Sequence, residues 1–207
     1  MRHQTTQNKH YLIFNRRHLS QEDELFLIRK FEEKTVQSQN IYAGRTVKLR
    51  RDEVCLPNGI VTVREVVNHP GAVAIVPLLD KKNVILVKQY RYAVRDTLWE
   101  VPAGTMESGE EPLACARREL VEETGYEADS FEFLFKCYLA PGYSSEQINV
   151  YLAKKLHSRS AKNDEDEIIH AQSFEIARAL RMIEENKIKD AKTISALLYT
   201  VAKEKIR

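Results

Sequence analysis

Glu119, Glu122 and Glu123 place three carboxylates within little more than one turn of a segment whose apolar spacing is helical. Positions 119 and 123 stand four residues apart and share one helix face, with Glu122 beside them. Carboxylates this close repel one another unless positive charge sits between them. Hard divalent cations that take oxygen ligands, Mg²⁺ or Mn²⁺, suit such a site. No His or Cys cluster accompanies the acids, which argues against zinc. Arg118, four residues before Glu122, is placed to hold one carboxylate. Taken alone, a Glu-x-x-Glu-Glu cluster is more often the solvated face of a surface helix, so the flanking residues decide between the two readings.

Those flanks are specific. Gly104 is followed by five residues, Glu110, seven residues, and then Arg118-Glu119-Leu120-Val121-Glu122-Glu123-Thr124-Gly125-Tyr126. This resembles the signature of the Nudix hydrolases with every fixed position filled. Tyr126 departs mildly, being aromatic where an aliphatic residue is more usual. The resemblance continues outside the signature. Val73–Tyr92 followed by Leu98–Gly104 looks like the approach strands of the ADP-ribose pyrophosphatase subgroup. Pro141, sixteen residues after Gly125, stands where that subgroup carries a marker proline. The similarity runs from about Ile41 to the C-terminus and has no counterpart for residues 1–38.

The resemblance implies an α/β Nudix fold, with mixed β-sheet layers between helices and an N-terminal β-hairpin extension. It implies metal-dependent hydrolysis of the pyrophosphate bond of ADP-ribose to AMP and ribose 5-phosphate, with Mg²⁺ as cofactor and Mn²⁺ possible. Glu119 and Glu123 then become the principal metal ligands, supported by Glu122 and by the backbone carbonyl of Ala103. Aligning Lys187-Ile188 with the family's lysine–isoleucine pair makes Glu165 the general base and Glu167 a further ligand, within the acidic run Asp164–Glu167. Arg91 resembles a family arginine that pairs with a substrate phosphate, and its fork suits that task. Arg64, Glu100 and Glu146 are weaker candidates for substrate contact. The subgroup also implies a homodimer that exchanges its N-terminal hairpin, here Thr46–Val66. Two alternatives stand beside this reading: a hydrolase of another nucleoside diphosphate-sugar such as a GDP-sugar, and a non-catalytic Nudix ligand sensor. The intact box glutamates, and a chain that ends soon after its second C-terminal helix, weigh against the sensor.

The surrounding pattern supplies the elements that must position these residues. Residues 1–18 read as a polar, basic arm. Ser20 reads as the cap of a short amphipathic helix through Leu25, Ile28 and Phe31 to about Lys34. Val47–Leu49 and Val61–Val63 alternate around Pro57-Asn58-Gly59, a hairpin signal. Ala72–Leu79 and Val84–Tyr90 read as a second strand pair joined by the turn Asp80–Asn83, both continuous apolar runs as expected of strands covered on both faces. Pro112 opens the Glu-bearing helix, which Gly125 closes. Leu113, Ala116 and Leu120 form the face available to anchor it. Phe131–Leu139 and Ile148–Leu152 read as strands, with Trp99 packing inward rather than serving as an adenine platform. Residues 157–167 read as a charged loop. Two closing helices carry Ile176, Leu180 and Ile183, and then Ile194, Leu197, Leu198 and Val201. The expected organisation is an arm and helix over 1–38, a hairpin over 39–68 and the hydrolase domain over 69–207.

Bulk properties agree with a soluble enzyme. The 207 residues are 43% hydrophobic and 30% charged, with a net charge of +2, too small to imply a nucleic-acid partner. No apolar run reaches the roughly 20 residues that span a bilayer, and the N-terminus lacks a secretory core. Cys55, Cys115 and Cys137 form no Cys-x-x-Cys pair, which suits the reducing cytoplasm.

Overall fold

The computed structural model describes residues 30–159 and 168–206. Its strands are β1 (Lys34–Ala43), β2 (Lys48–Cys55), β3 (Val61–Asn68), β4 (Ala72–Pro77), β5 (Asn83–Arg91), β6 (Asp96–Glu100), β7 (Ala103–Thr105), β8 (Tyr126–Tyr138), β9 (Gln147–Ser158) and β10 (Ile169–Glu175). The helices are α1 (Pro112–Thr124), α2 (Ile176–Glu184) and α3 (Ala191–Glu204). By compactness the chain divides into a first unit, residues up to Ser38 with Asp52–Arg64, and a second, Gln39–Arg51 with Glu65–Arg207.

In the first unit the Asn58-Gly59 turn closes as its sequence predicts. Gly59 has φ of 84°, and its N–H donates to the Leu56 carbonyl at 2.9 Å. Arg64 grips Glu33 through two hydrogen bonds of 2.9 and 2.6 Å, and the Ser38 hydroxyl donates to Asp52 at 2.5 Å. β1, β2 and β3 form a three-stranded sheet. The hairpin expected from sequence therefore has a third strand, which begins inside the segment read as an arm and helix. All ten residues of β1 are exposed, so its mostly polar sequence has no apolar alternation to betray it. Most of the helix expected from Ser20 falls outside the described residues; Lys30 and Phe31 are helical, and Lys34 is already strand.

The second unit holds two sheets. One has the order β7-β4-β9-β8, with β4 and β9 parallel and the other pairs antiparallel. The other has the order β10-β5-β6, antiparallel throughout. β4 is buried along its whole length, and its alternation splits between two cores. Ala72, Ala74 and Val76 join Leu86 of β5, Val150 and Leu152 of β9, and Ile176 and Leu197 of the later helices. Val73 and Ile75 face the other way, onto Cys115, Ala116 and Leu120 of α1. Helices thus cover the strands on both sides, an α/β layered arrangement.

Several expectations are corrected here. The two central apolar runs do not pair as a hairpin: β4 and β5 lie in different sheets, joined by the single bridge Leu78–Val84. Asp80 holds the connecting turn, its carboxylate accepting the N–H groups of Lys82 and Asn83 at 2.6 and 2.9 Å. β10, alternating polar and partly buried residues, was not foreseen. Cys115 rather than Leu113 anchors α1, Leu113 being 40% exposed, and Leu198 of α3 is 50% exposed. Trp99 packs against the core, edge-on to Phe174 at 4.8 Å between centroids. No helix among the described residues is long and apolar enough to cross a membrane.

Candidate active site

α1 is fixed at both ends by its own sequence. Pro112 occupies the first turn, where its missing N–H costs nothing, and Gly125 ends the helix in the left-handed region at φ of 69°. Burial of Cys115, Ala116 and Leu120 against β4 sets the helix's rotation. That rotation directs Arg118, Glu119, Glu122 and Glu123 into a cavity of about 440 Å³. Every residue lining this cavity belongs to the second unit.

Arg118 ties the carboxylates together. Its Nε and one terminal nitrogen donate to the two oxygens of Glu110 at 3.0 and 3.1 Å. The other terminal nitrogen donates to Glu119 at 2.8 Å and Glu122 at 2.9 Å. The hydrogen bonds from Arg118 and from the Glu107 backbone pull the Glu110 carboxyl down to about 2, while the surrounding carboxylates raise the Arg118 guanidinium further above its ordinary range. Glu123 reaches the other way, accepting the Ala103 N–H at 3.0 Å. Gly104 makes room for Glu119: a Cβ at that position would stand 1.8 Å from a Glu119 carboxylate oxygen, a distance no side chain can occupy. Any side chain at 104 would therefore push the Glu119 carboxylate out of the place it takes here against the strand.

The cavity is also lined by positive charge. Arg91 and Lys192 both line it, and both are held by Glu100. Arg91 forks onto the two Glu100 oxygens at 2.8 and 2.9 Å, and the Lys192 ammonium also bonds Glu100 while lying 3.0 Å from Asp190. Glu100 is 1% exposed. Burial alone pushes its carboxyl up, but the hydrogen bonds from Arg91 and the charge and hydrogen bond of Lys192 outweigh that and hold its pKa at about 2. Since this lies below the ordinary 4.5, the stability it supplies is whole above 4.5 and is lost as pH falls through about 2. Glu100→Gln is expected to flatten the decline in unfolding free energy across that window. It also costs about 3 kcal/mol at neutral pH, because two cations lose a buried partner. Urea unfolding at a series of pH values checks both, and parallel wild-type and variant profiles would contradict the assignment.

The remaining candidates are distributed as follows. Ala103, Gly104, Glu119, Glu122, Glu123, Arg91 and Glu146 line the cavity. Glu110 and Arg118 brace its acidic wall, and Glu100 braces the cations. Arg64 pairs with Glu33 in the first unit. Pro141 sits in a turn where the Tyr143 and Ser144 N–H groups both donate to the Ala140 carbonyl, at 3.1 and 2.9 Å. That turn is stitched to Val67, whose N–H donates to the Tyr143 carbonyl at 2.8 Å. Glu165 and Glu167 lie outside the described residues. Lys192 was missed from the sequence. The available signal was Asp190, an acid placed to cap the helix that carries it, though nothing local shows which way the lysine turns.

Comparison with known proteins adds to this geometry. Residues 68–197 match the family pattern described as the NUDIX domain. The chain is 41% identical over 179 residues to the methanol dehydrogenase activator of Bacillus methanolicus, spanning 86% of this chain and 97% of that protein. It is 39% identical over 182 residues to the ADP-ribose pyrophosphatase of Bacillus subtilis strain 168, spanning 87% and 98% respectively. A crystal structure titled as an ADP compounds hydrolase superposes with a TM-score of 0.77 at 26% identity, covering 84% of this chain and 95% of that one.

Proposed function

The chain belongs to the Nudix family, and on that premise we propose that it hydrolyses the pyrophosphate bond of ADP-ribose to AMP and ribose 5-phosphate. The observation that carries the reading is a single cavity lined both by the carboxylates of one helix and by two cations, Arg91 and Lys192. A diphosphate needs both kinds of wall: cations to meet its oxygens, and acids to hold the metal that neutralises the rest. Near full-length similarity to a relative named ADP-ribose pyrophosphatase supports the choice of substrate.

A divalent cation, Mg²⁺ or alternatively Mn²⁺, fits the donor set, which is entirely oxygen and gathered on one wall. No three His, Cys, Asp or Glu side chains among the described residues are already arranged to hold an ion, and Arg118 is the counter-charge to Glu119 and Glu122. Glu119, Glu122, Glu123 and the Ala103 carbonyl would hold the metal, with Glu167 as a further ligand. When bound, it supplies positive charge against the diphosphate oxygens. Arg91, whose Nε and one terminal nitrogen are held by Glu100, brings its other terminal nitrogen to a phosphate, and Arg64 and Glu146 are further candidates for substrate contact. Glu165 is assigned as the base that takes the proton of the attacking water.

Comparing kcat/KM for ADP-ribose, GDP-mannose and UDP-glucose with Mg²⁺ tests the substrate. ADP-ribose is expected to lead by about tenfold or more. A GDP-sugar in first place would move the assignment to that class, and no turnover of any of them would favour a ligand sensor. A homodimer exchanging Thr46–Val66, working in the cytoplasm, belongs to the same reading. The exposure of Val61 and Val63 on β3 supports the dimer, and three free thiols suit the compartment. A monomer mass by light scattering at micromolar concentration would remove the exchange.

A further inference from the structure

We infer that Thr193 and Asp190, at the start of α3, are positioning residues that set where the Glu123 carboxylate stands. Asp190 caps the helix in the ordinary way, its Oδ2 accepting the Thr193 N–H at 2.9 Å. The same oxygen also accepts the Thr193 hydroxyl at 2.6 Å. That commits the hydroxyl proton and leaves the Thr193 oxygen as an acceptor. It accepts the Val101 N–H at 2.9 Å, in a bond between two residues that are both fully buried. A capping side chain usually serves its own helix. Here the capped threonine reaches out of the helix to a residue 92 positions away.

The place it reaches is the corner between β6, which ends at Glu100, and β7, which begins at Ala103. Three successive residues are pinned there from three directions. The Val101 N–H is held by α3, the Pro102 carbonyl accepts the Ile75 N–H of β4 at 2.8 Å, and the Ala103 N–H holds Glu123 at 3.0 Å. Asp190 further steadies Lys192, and through it Glu100, on the cationic wall. The first turn of α3 thus fixes the backbone from which the Glu123 carboxylate hangs.

The inference rests on the reading of Glu123 as a metal ligand, and its test separates the two. Mn²⁺ is titrated into the full-length chain and free Mn²⁺ is counted by electron paramagnetic resonance. The proteins compared are wild type, Thr193→Val, Thr193→Ser and Glu123→Gln, each confirmed folded at the titration temperature by its melting curve. Thr193→Val, which keeps the shape but removes the acceptor, is expected to raise the Mn²⁺ Kd roughly tenfold, the size typical of losing a bond that orients a ligand. Thr193→Ser restores the acceptor and is expected to return Kd to within about a factor of two of wild type. Wild-type affinity in Thr193→Val, with weakened binding in Glu123→Gln, overturns the positioning role alone. Unchanged affinity in Glu123→Gln overturns the ligand reading and this inference with it. Should Thr193→Val fail to fold, Thr193→Ala, which also lacks the acceptor for Val101 while keeping the N–H that Asp190 caps, is measured the same way. A several-fold weaker Kd supports the role, and an unchanged one overturns it.

Discussion

Glu123→Gln is expected to lower kcat on ADP-ribose by about two orders of magnitude or more, with the fold intact. Glutamine keeps the length of the side chain and its helix propensity, and its carbonyl oxygen can still accept the Ala103 N–H that Glu123 holds at 3.0 Å. What it removes is one negative charge lining the same cavity as Arg91, whose ionisation Glu123 favours. The loss should therefore appear in turnover and not in thermal stability. Steady-state kinetics with saturating Mg²⁺ and a melting curve check both halves. A variant keeping more than about a tenth of wild-type kcat, a change below roughly 1.4 kcal/mol, would contradict the role.

Arg118→Lys is expected to cost activity by about one to two orders of magnitude although the charge is conserved. The guanidinium serves Glu110, Glu119 and Glu122 at once, from a rigid plane whose donors point in fixed directions. A lysine ammonium is a single point on a flexible stem and cannot span all three acids. Arg118 is 30% exposed, so the stability cost is modest, and the damage lies in where the acids stand. The Glu110 carboxyl reports this independently. Arg118 holds it at about 2, and in the variant its titration should move back towards the ordinary 4.5. Carbon-13 NMR of the glutamate carboxyls across that range measures the shift beside the kinetics. Wild-type turnover, or a Glu110 that still titrates near 2, would show that the fork is not what positions these acids.

What was legible in the sequence is what is local. Gly104 through Tyr126 could be read because a helix converts spacing directly into a face, and glycine at 104 leaves the Glu119 carboxylate room beside the strand. The buried runs of β4 and β5 were legible as strands for the same reason, since burial on both faces leaves an unbroken apolar string. Their partners were not. β4 pairs with β9, more than seventy residues later, and β5 with β10, so the short polar turn between them suggested a hairpin that does not form. β1 was invisible because its residues are exposed along their whole length. The cationic wall was half legible. Arg91 and Glu100 were each read separately as candidates for substrate contact, and nothing in their local spacing showed that the fold also pairs them with each other. Lys192 joins them from 92 residues away through a burial that no local pattern encodes.

The central claim is that this carboxylate cavity hydrolyses the diphosphate of ADP-ribose, and phosphorus-31 NMR of ADP-ribose incubated with the full-length chain and Mg²⁺ tests it most directly. The account predicts that the diphosphate resonances disappear and two phosphomonoester resonances, those of AMP and ribose 5-phosphate, replace them in equal amounts. A chelator or Glu123→Gln should stop the conversion. Diphosphate resonances that persist with folded wild-type protein and saturating Mg²⁺, or a conversion that Glu123→Gln leaves unchanged, would contradict it.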